Sequence, residues 1–280
     1  MRSARAGAPG WDIARPSRPG RLPGVRMAGF SDQSTGLADI RVIPPPAVMV
    51  VVDIGGGLLV GDASGWQQRG SVVAGLAPVG ATGHGLQDFE CLQVRLSPVV
   101  AHAMLGACAE LSGTVMALDD LWGREATRIQ EQLRAAASWE DRFAIAEAAL
   151  ARRQETSRAV DPEVAFAWRR MVAGRGRVRV ERLAAEAGWS RKRLWSRFRS
   201  QIGLTPKRAA RLWRFDHAAR LLTAGHSAAV AAADSGYADQ SHLHRDVLAF
   251  AGMTPAVMAV TPFLAVDDVA WPDAVSAART

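Results

Sequence analysis

Two segments in the carboxy-terminal half carry side chains that can read the edges of base pairs. Arg and Lys match guanine N7 and O6, and Gln matches adenine N6 and N7, in a major groove wide enough to admit a helix. The first segment offers Arg191, Lys192, Arg193, Trp195, Ser196, Arg197 and Arg199, and the second offers Asp239, Gln240, Ser241, His244 and Arg245. The chemistry open to these residues is hydrogen bonding to nucleic acid.

Both segments lie in a repeat whose two copies are 48 to 49 residues apart. Each copy predicts a helix, a tight turn at Gly188 or Gly236, and a second helix, because glycine readily adopts the positive φ of such a turn. The second helices each place two apolar residues four apart, which are Leu194 with Phe198 and Leu243 with Val247. Burial of these residues leaves the opposite, polar face of each helix free.

Capping residues mark the ends of these helices. Gly203 and Gly252 are expected to end the second helices. Thr205-Pro206 and Thr254-Pro255 then supply an N-cap and a first helical residue. Apolar residues in 206–222 follow a helical period and predict a long helix between the two copies. Its 17 residues would span roughly 25 Å.

Charge is divided unevenly along the chain. The net charge is +5 for residues 1–26, −6 for 27–157, +10 for 158–260 and −2 for 261–280. A mildly acidic part followed by a strongly basic one indicates two domains, and the basic domain is where a polyanion would bind. The alternative interpretation of the repeat is a pair of ordinary helical hairpins whose polar faces are simply solvated. The matching caps of the two tandem copies argue against this alternative.

Residues 160–258 resemble the DNA-binding domain of the AraC-type (AraC/XylS) bacterial transcription regulators. The resemblance lies in the turn helix 183–188, the end of the connecting helix at 218–222, and the G-Y…G-x-T-P signature over 236–255. It implies that bases are read by Lys192, Trp195 and Ser196 of the first unit and by Gln240, Ser241, His244 and Arg245 of the second. With Arg191 and Arg199 these form the predicted DNA-binding set.

Three positions depart from the family pattern. Ser196 stands where Arg is common, Val247 stands where Phe is common, and an Ala-rich stretch over 228–233 replaces the usual Ile. These departures affect the expected base preference and the affinity of the second half-site.

The amino-terminal half predicts an antiparallel β region over residues 41–96 that is followed by helices. Apolar runs alternate with Gly clusters at 55–57 and 80–85, and 92–96 alternates with the period of a half-buried strand. Helices are expected over 99–108, 121–133 and 139–152. The fold class is therefore mixed α and β, with a β-rich amino-terminal domain and an all-α carboxy-terminal domain with two helix-turn-helix units. The resemblance implies a cupin-like barrel that senses an effector or dimerises.

Four ranges describe the expected domain organisation. They are a disordered, Arg-rich tail over 1–26, a sensing or dimerisation domain over 40–156, a DNA-binding domain over 157–260 and a tail over 261–280. Asp161-Pro162 is expected to open the first helix of the DNA-binding domain. Met27 directly follows the first tail and is an alternative start of translation.

No catalytic constellation, metal site or cofactor motif is found in the sequence. His84 and His102 are too few for a catalytic metal barrel, and the Gly clusters do not match a nucleotide-binding loop. Cys91 and Cys108 lack CxxC spacing, so buried thiols are expected. Trp122 and Trp139 either stack on an aromatic effector or, as we favour, pack between helices.

The predicted function is that of a cytoplasmic, non-enzymatic DNA-binding transcription regulator. Its expected partners are double-stranded DNA, a small-molecule effector and RNA polymerase, with no membrane, and it acts as a monomer or homodimer. The longest apolar stretch, 42–60, is broken by prolines and glycines, so no membrane span is expected. The alternatives are a non-specific architectural DNA-binding protein and an enzyme with an accessory DNA-binding domain.

Overall fold

A computed structural model describes residues 11–32, 38–61, 67–77, 82–85, 89–106, 108–155, 159–261, 266 and 268–272. It has the predicted fold class: a β-rich amino-terminal domain with trailing helices and a helical carboxy-terminal domain.

Within the described part of the amino-terminal domain, ten strands form two antiparallel sheets. The strands are β1 (Trp11–Ala14), β2 (Val25–Asp32), β3 (Ala38–Arg41), β4 (Val48–Asp53), β5 (Leu58–Gly61), β6 (Gln67–Arg69), β7 (Val72–Ala74), β8 (Thr82–Gly85), β9 (Glu90–Leu96) and β10 (Val115–Ala117). The larger sheet has the order β1-β2-β9-β4-β7-β10, and the smaller one has the order β3-β8-β5-β6. The Gly cluster at 80–85, expected in a turn, contributes strand β8, which pairs with β3 and β5.

The larger sheet is buried on both faces. Along β4, Val48, Val50 and Val52 pack in the main core with the helices, while Met49 and Val51 pack toward the smaller sheet. Side chains of β4 thus alternate between two buried environments, and neither face of this strand is solvated. In β9, where the sequence predicts a half-buried strand over 92–96, the polar residues Gln93 and Arg95 are buried as well.

Twelve helices complete the described residues. The amino-terminal domain contributes α1 (Pro98–Leu105), α2 (Cys108–Leu111), α3 (Leu118–Trp122), α4 (Arg124–Ala135) and α5 (Trp139–Glu155). The carboxy-terminal domain contributes α6 (Pro162–Ala173), α7 (Val180–Glu186), α8 (Arg191–Ile202), α9 (Pro206–Thr223), α10 (Ala228–Asp234), α11 (Gln240–Ala251) and α12 (Pro255–Val260). The helix expected over 121–133 is divided by Gly123 into α3 and α4.

The amino-terminal segment differs from the prediction of a disordered tail. From residue 11 onward it is ordered, and Trp11–Ala14 pairs with β2 in antiparallel register. The amides of Ser17 and Arg21 donate to the carboxylates of Glu140 and Glu147 on α5. Backbone pairing and these contacts order a segment that has no apolar periodicity of its own; residues 1–10 lie outside the described residues.

A chain that begins at Met27 is therefore expected to be less stable than the full chain. It lacks β1, the first two residues of β2 and the hydrogen bonds to α5. We expect thermal melting to begin roughly 5 °C or more lower, given 2 to 4 °C per kcal/mol for a protein of this size. A chain that begins at Trp11 keeps all of these contacts and is the control. Equal melting temperatures for the two would contradict the ordered placement of 11–26.

The carboxy-terminal segment also departs from a simple tail. Ala270 and Trp271 are fully buried with Phe30, Met49 and Cys91 in the core toward the smaller sheet. The segment over 270–271 therefore packs in the core of the amino-terminal domain, far away in the sequence. The tail expected over 261–280 thus contributes in part to the folded structure. Residues 262–265, 267 and 273–280 lie outside the described residues.

The two domains share one continuous core. Helix α8 packs on α1 and α2, and α1 packs on α5. His102 of α1 lies at this junction, where burial lowers its pKa below the ordinary value, while the backbone of Gln201 and the charge of Asp161 act in the opposite direction. The neutral ring is therefore the favoured form in the folded protein.

Acidification is expected to lower the free energy of unfolding through protonation of His102. Below about pH 6.5 the unfolded chain binds a proton that the folded chain binds less readily, so the free energy of unfolding falls as the pH drops toward the folded pKa. Urea titrations between about pH 7.5 and 5 should show this loss. The variant His102→Gln should show a smaller loss. An identical pH dependence in both proteins would contradict the assignment to His102.

None of the helices among the described residues is long and apolar enough to span a bilayer.

Candidate nucleic-acid interface

The first helix-turn-helix unit consists of α7 and α8 around a turn at Gly188. Gly188 has a φ of 69°, as the sequence predicts, and Ser190 caps α8 by accepting a hydrogen bond from the amide of Arg193 at 3.2 Å. Leu194 and Phe198 are completely buried. All five predicted contact residues of this helix are exposed, namely Arg191, Lys192, Trp195, Ser196 and Arg199.

The second unit repeats this construction with α10 and α11. Gly236 has a φ of 74°, and Asp239 caps α11 by accepting from the amide of His242 at 2.7 Å. Leu243 and Val247 are completely buried. The predicted contact residues Gln240, Ser241, His244 and Arg245 are all exposed on the opposite face. Both reading faces are therefore open to a ligand as large as a DNA duplex.

Some basic residues near the first reading face are already paired. Arg197 makes two hydrogen bonds to the carboxylate of Asp161, at 2.7 and 2.9 Å. This contact lowers the pKa of Asp161 and raises that of Arg197. Asp161 precedes α6 as predicted, but its side chain binds Arg197 and does not cap the helix. Arg197 thus links α8 to the start of α6, and its guanidinium is engaged by Asp161 instead of being free for DNA.

The other cations of α8 remain available to a ligand. Arg191 lies 3.3 Å from Glu181, but both side chains are largely exposed, and such pairs contribute little. Arg199 lies over the ring of Trp195, with 5.3 Å between the guanidinium carbon and the ring centre. Trp195 is 45% exposed, an unusual position for so large an apolar side chain. A phosphate or a base could replace solvent at each of these groups.

Helix α9 joins the two units and fixes their relative position. Its apolar residues Leu212, Phe215, Ala219 and Leu222 are buried, as the helical period predicts. Arg211 on α9 makes a two-pronged contact with Asp246 on α11, with Nη2 to Oδ1 at 2.6 Å and Nε to Oδ1 at 3.2 Å. Asp246 is buried, and hydrogen bonding to it raises the pKa of Arg211. This buried ion pair ties the second recognition helix to the connecting helix.

A shallow basic concavity beside α8 was not identified from the sequence. Arg179, Lys207 and Arg214 line it together with Arg191 and Lys192, over a volume of about 570 Å³. Lys207 lies in the first turn of α9, where the amide dipoles also favour an anion. The signal in the sequence is Thr205-Pro206-Lys207-Arg208, a helix start rich in cations. Only folding brings it beside the first recognition helix.

Comparison with known proteins identifies the helical units. The family model for a helix-turn-helix domain matches residues 183–259, from α7 to α12. Residues 183–259 are an AraC-type helix-turn-helix domain. This domain marks the chain as a DNA-binding transcription regulator. No curated protein matches the chain.

Solved structures with a similar arrangement have low sequence identity. ToxT from Vibrio cholerae is 9% identical over 85% of this chain and 98% of that chain, with a TM-score of 0.46. The C-terminal domain of AraT, a response regulator from Geobacillus stearothermophilus, is 18% identical over 38% of this chain and 89% of that chain, with a TM-score of 0.35. The AraC-like transcriptional activator CuxR is 16% identical over 78% of this chain and 87% of that chain, with a TM-score of 0.23.

The AraC-type domain contains every predicted DNA-contact residue. The matched range begins at Leu183, the first buried residue of α7, and ends beside the exposed Val260. It excludes α6, which packs on α7, α8 and α9. Helix α6 thus extends the domain toward the amino-terminal half.

Proposed function

We propose that the protein binds specific DNA sequences by placing α8 and α11 in two successive segments of the major groove. The observation that carries this proposal is the exposure of all nine predicted contact residues on two capped helices whose opposite faces are buried. The 18 residues of α9 span about 27 Å between the units, a length comparable to the 34 Å of one DNA turn.

Each recognition helix has a distinct chemical character. Helix α8 offers cations and an exposed indole, which suit guanine edges, phosphates and apolar contact with thymine methyl groups. Helix α11 offers an amide, a hydroxyl, an imidazole and a single guanidinium, from Gln240, Ser241, His244 and Arg245. Arg245 donates to the carbonyl of Ser241 at 3.3 Å, so its guanidinium lies along the helix surface. We infer that base selection is sharper at α11 and that α8 contributes more of the charge-dependent affinity.

The two domains are proposed to have different roles. We propose that residues 157–260 bind DNA and that residues 40–156 sense an effector or mediate dimerisation, with RNA polymerase as a further partner. Arg179, Lys207 and Arg214 are proposed to contact phosphates beside α8. Such contacts position a protein on DNA without selecting sequence. A non-enzymatic, cytoplasmic role fits this reading.

Specificity is tested by the variant Arg245→Ala. Binding sites are first selected from a randomised duplex library with the full chain, and affinities are then measured for the best site and for random DNA. Loss of one guanidinium that reads a base should cost about 1 to 3 kcal/mol on the selected site, or roughly 5- to 150-fold in affinity, with a much smaller effect on random DNA.

The control is Arg128→Ala, which removes the same charge from the exposed face of α4. It should leave both affinities nearly unchanged. Equal losses on selected and random DNA for Arg245→Ala would instead support the architectural alternative, in which affinity comes from phosphate contacts alone. Failure of the selection to enrich any sequence would contradict specific binding itself.

A further inference from the structure

The loop between α6 and α7 carries two exposed arginines that point to the same side. In the run Arg177-Val178-Arg179-Val180, the two valines pack against the main core, whereas the two arginines are exposed. The backbone of Arg179 is extended, with φ −89° and ψ 126°. Successive side chains of an extended chain point to opposite sides, so burial of the valines turns both arginines outward together.

Backbone contacts fix this loop against the connecting helix. The amides of Gly176 and Arg177 donate to the carbonyls of Met171 and Gly174, both at 2.9 Å. Gly176 has a φ of 73°, and a Cβ atom there would lie 2.1 Å from the carbonyl oxygen of Ala210 on α9. Glycine permits both the positive φ and this close approach. The arginines that follow are therefore presented from a fixed backbone.

These two arginines lie where the two helix-turn-helix units meet. The side chain of Arg177 packs on Gly236 in the turn of the second unit, where an added Cβ atom would lie 2.6 Å from the Cδ of the arginine. Arg179 lines the basic concavity beside α8 together with Arg191 and Lys192. The loop thus reaches from the first recognition helix to the turn that precedes the second one.

Carboxylates near the loop are bound by other arginines. Glu186 accepts from two arginines, one on α6 and one on α7, and Glu181 accepts from Arg191 on α8. Among the described residues, Arg177 forms no ion pair, and Arg179 acts on Glu181 through its charge without a hydrogen bond. Both guanidiniums are therefore available to an external anion.

Duplex geometry places a minor groove opposite this loop when the two recognition helices bind as proposed above. Successive major-groove segments on one face of B-DNA are separated by one passage of the minor groove, which is about 6 Å wide. A loop between the two units then faces that groove and the phosphates along its edges. Where A·T pairs narrow the groove, its negative potential is enhanced and attracts arginine side chains.

We propose that Arg177 enters the minor groove between the two major-groove segments and that Arg179 holds a phosphate at its edge. The base pairs between the segments are the spacer. The protein then selects the width of the groove, and through it an A·T-rich spacer, at base pairs that α8 and α11 do not touch. This inference rests on the proposed function, because both recognition helices together determine which groove faces the loop.

Three duplexes that differ only in the spacer test this contact. Each carries the best site selected with the full chain, and its spacer of about five base pairs, located by footprinting, is an A-tract, a G·C run or an I·C run. Inosine lacks the amino group that guanine places in the minor groove, so I·C pairs resemble A·T pairs there. We expect the A-tract duplex to bind at least about fivefold more tightly than the G·C duplex, and the I·C duplex to recover most of that difference. Equal affinities for all three would overturn the proposal.

Single variants of the full chain assign the two roles. Arg177→Gln should bind the three duplexes within about twofold of one another and retain its discrimination at the major-groove bases. Arg179→Gln should keep the spacer preference, lose affinity for every duplex alike, and reduce the slope of log affinity against log salt concentration by about one. Arg128→Gln, on the exposed face of α4, is the matched control for charge and should change neither property. If Arg177→Gln instead behaved like Arg179→Gln, both arginines would contact phosphates only and the minor-groove contact would be wrong.

Base changes within the two major-groove segments keep the two proposals separate. Discrimination there without any spacer preference would overturn the minor-groove contact and leave the proposed function intact. The same three spacers placed in a duplex of unselected sequence extend the comparison to a chain without base preference. A spacer preference that Arg177→Gln abolishes, in a chain that discriminates no base changes at either segment, would support the contact of Arg177 and overturn base reading by α8 and α11.

Discussion

Replacing Trp271 by Ala should lower the free energy of unfolding by about 3 to 5 kcal/mol, the range for truncating a buried aromatic side chain. Trp271 is completely buried, 6.3 Å from the ring of Phe30, and the guanidinium of Arg95 lies 3.7 Å from its ring centre. Its carbonyl accepts from Arg220 of α9 at 3.2 Å. The variant therefore opens a cavity in the amino-terminal domain and uncovers a buried cation. A thermal melt should show a decrease of about 10 °C.

Two companion variants test whether the loss of stability comes from the buried ring of Trp271. Val269→Ala alters a side chain that is 58% exposed two residues earlier and should have little effect. Trp271→Phe retains an aromatic ring over Arg95 and should cost clearly less than the alanine variant. If Trp271→Ala melted like the unmodified chain, the carboxy-terminal segment would not be part of the core.

Replacing Arg211 by Ala should cost about 3 kcal/mol by leaving Asp246 charged, buried and without its cation. The side chain of Asp246 is 2% exposed, and that of Arg211 is 36% exposed. Solvent near Arg211 places the expected loss at the lower end of the range for a broken buried pair. Because Asp246 lies on α11, the second recognition helix should also lose its fixed position, so specific DNA affinity should fall with stability.

A double-mutant cycle checks the pair. Arg211→Met combined with Asp246→Leu removes both charges and fills similar volumes, and such replacements are often neutral. We expect this double variant to be more stable than either of its single variants, Arg211→Met or Asp246→Leu, each of which leaves one partner of the pair alone. Additive losses in the cycle would show that the two residues do not interact. Urea unfolding at neutral pH measures all of these variants.

The helix-turn-helix units could be predicted from the sequence because local chemistry specifies them. Gly188 and Gly236 adopt positive φ, and Thr205 and Thr254 cap their helices by accepting from Arg208 and Val257, both at 3.3 Å. Each of these features depends on residues within one or two turns of chain. The exposed faces follow from the burial of residues four apart, since one face of a short helix determines the other.

The ordered segments at the two ends were not predictable in this way. Trp11–Ala14 has little apolar pattern and is ordered by pairing with β2 and by contact with α5. Trp271 is isolated among short polar and small residues, and nothing near it in the sequence reveals the pocket around Phe30. The alternating strand over 92–96 predicts a solvated position for Arg95, whereas in the structure the ring of Trp271 covers its guanidinium.

Capping, turn geometry and helical period act over a few residues, so the class of fold, the two helix-turn-helix units and the residues they expose could be predicted from the amino-acid sequence. Which cations remain available depends instead on contacts between residues far apart in the chain. Arg197 pairs with Asp161, 36 residues away, and Arg211 pairs with Asp246, 35 residues away, so neither is free to read DNA. Folding also places Arg177 against Gly236 of the second unit. Charge pairing and contacts between distant segments depend on distances in space, which spacing along the chain does not encode.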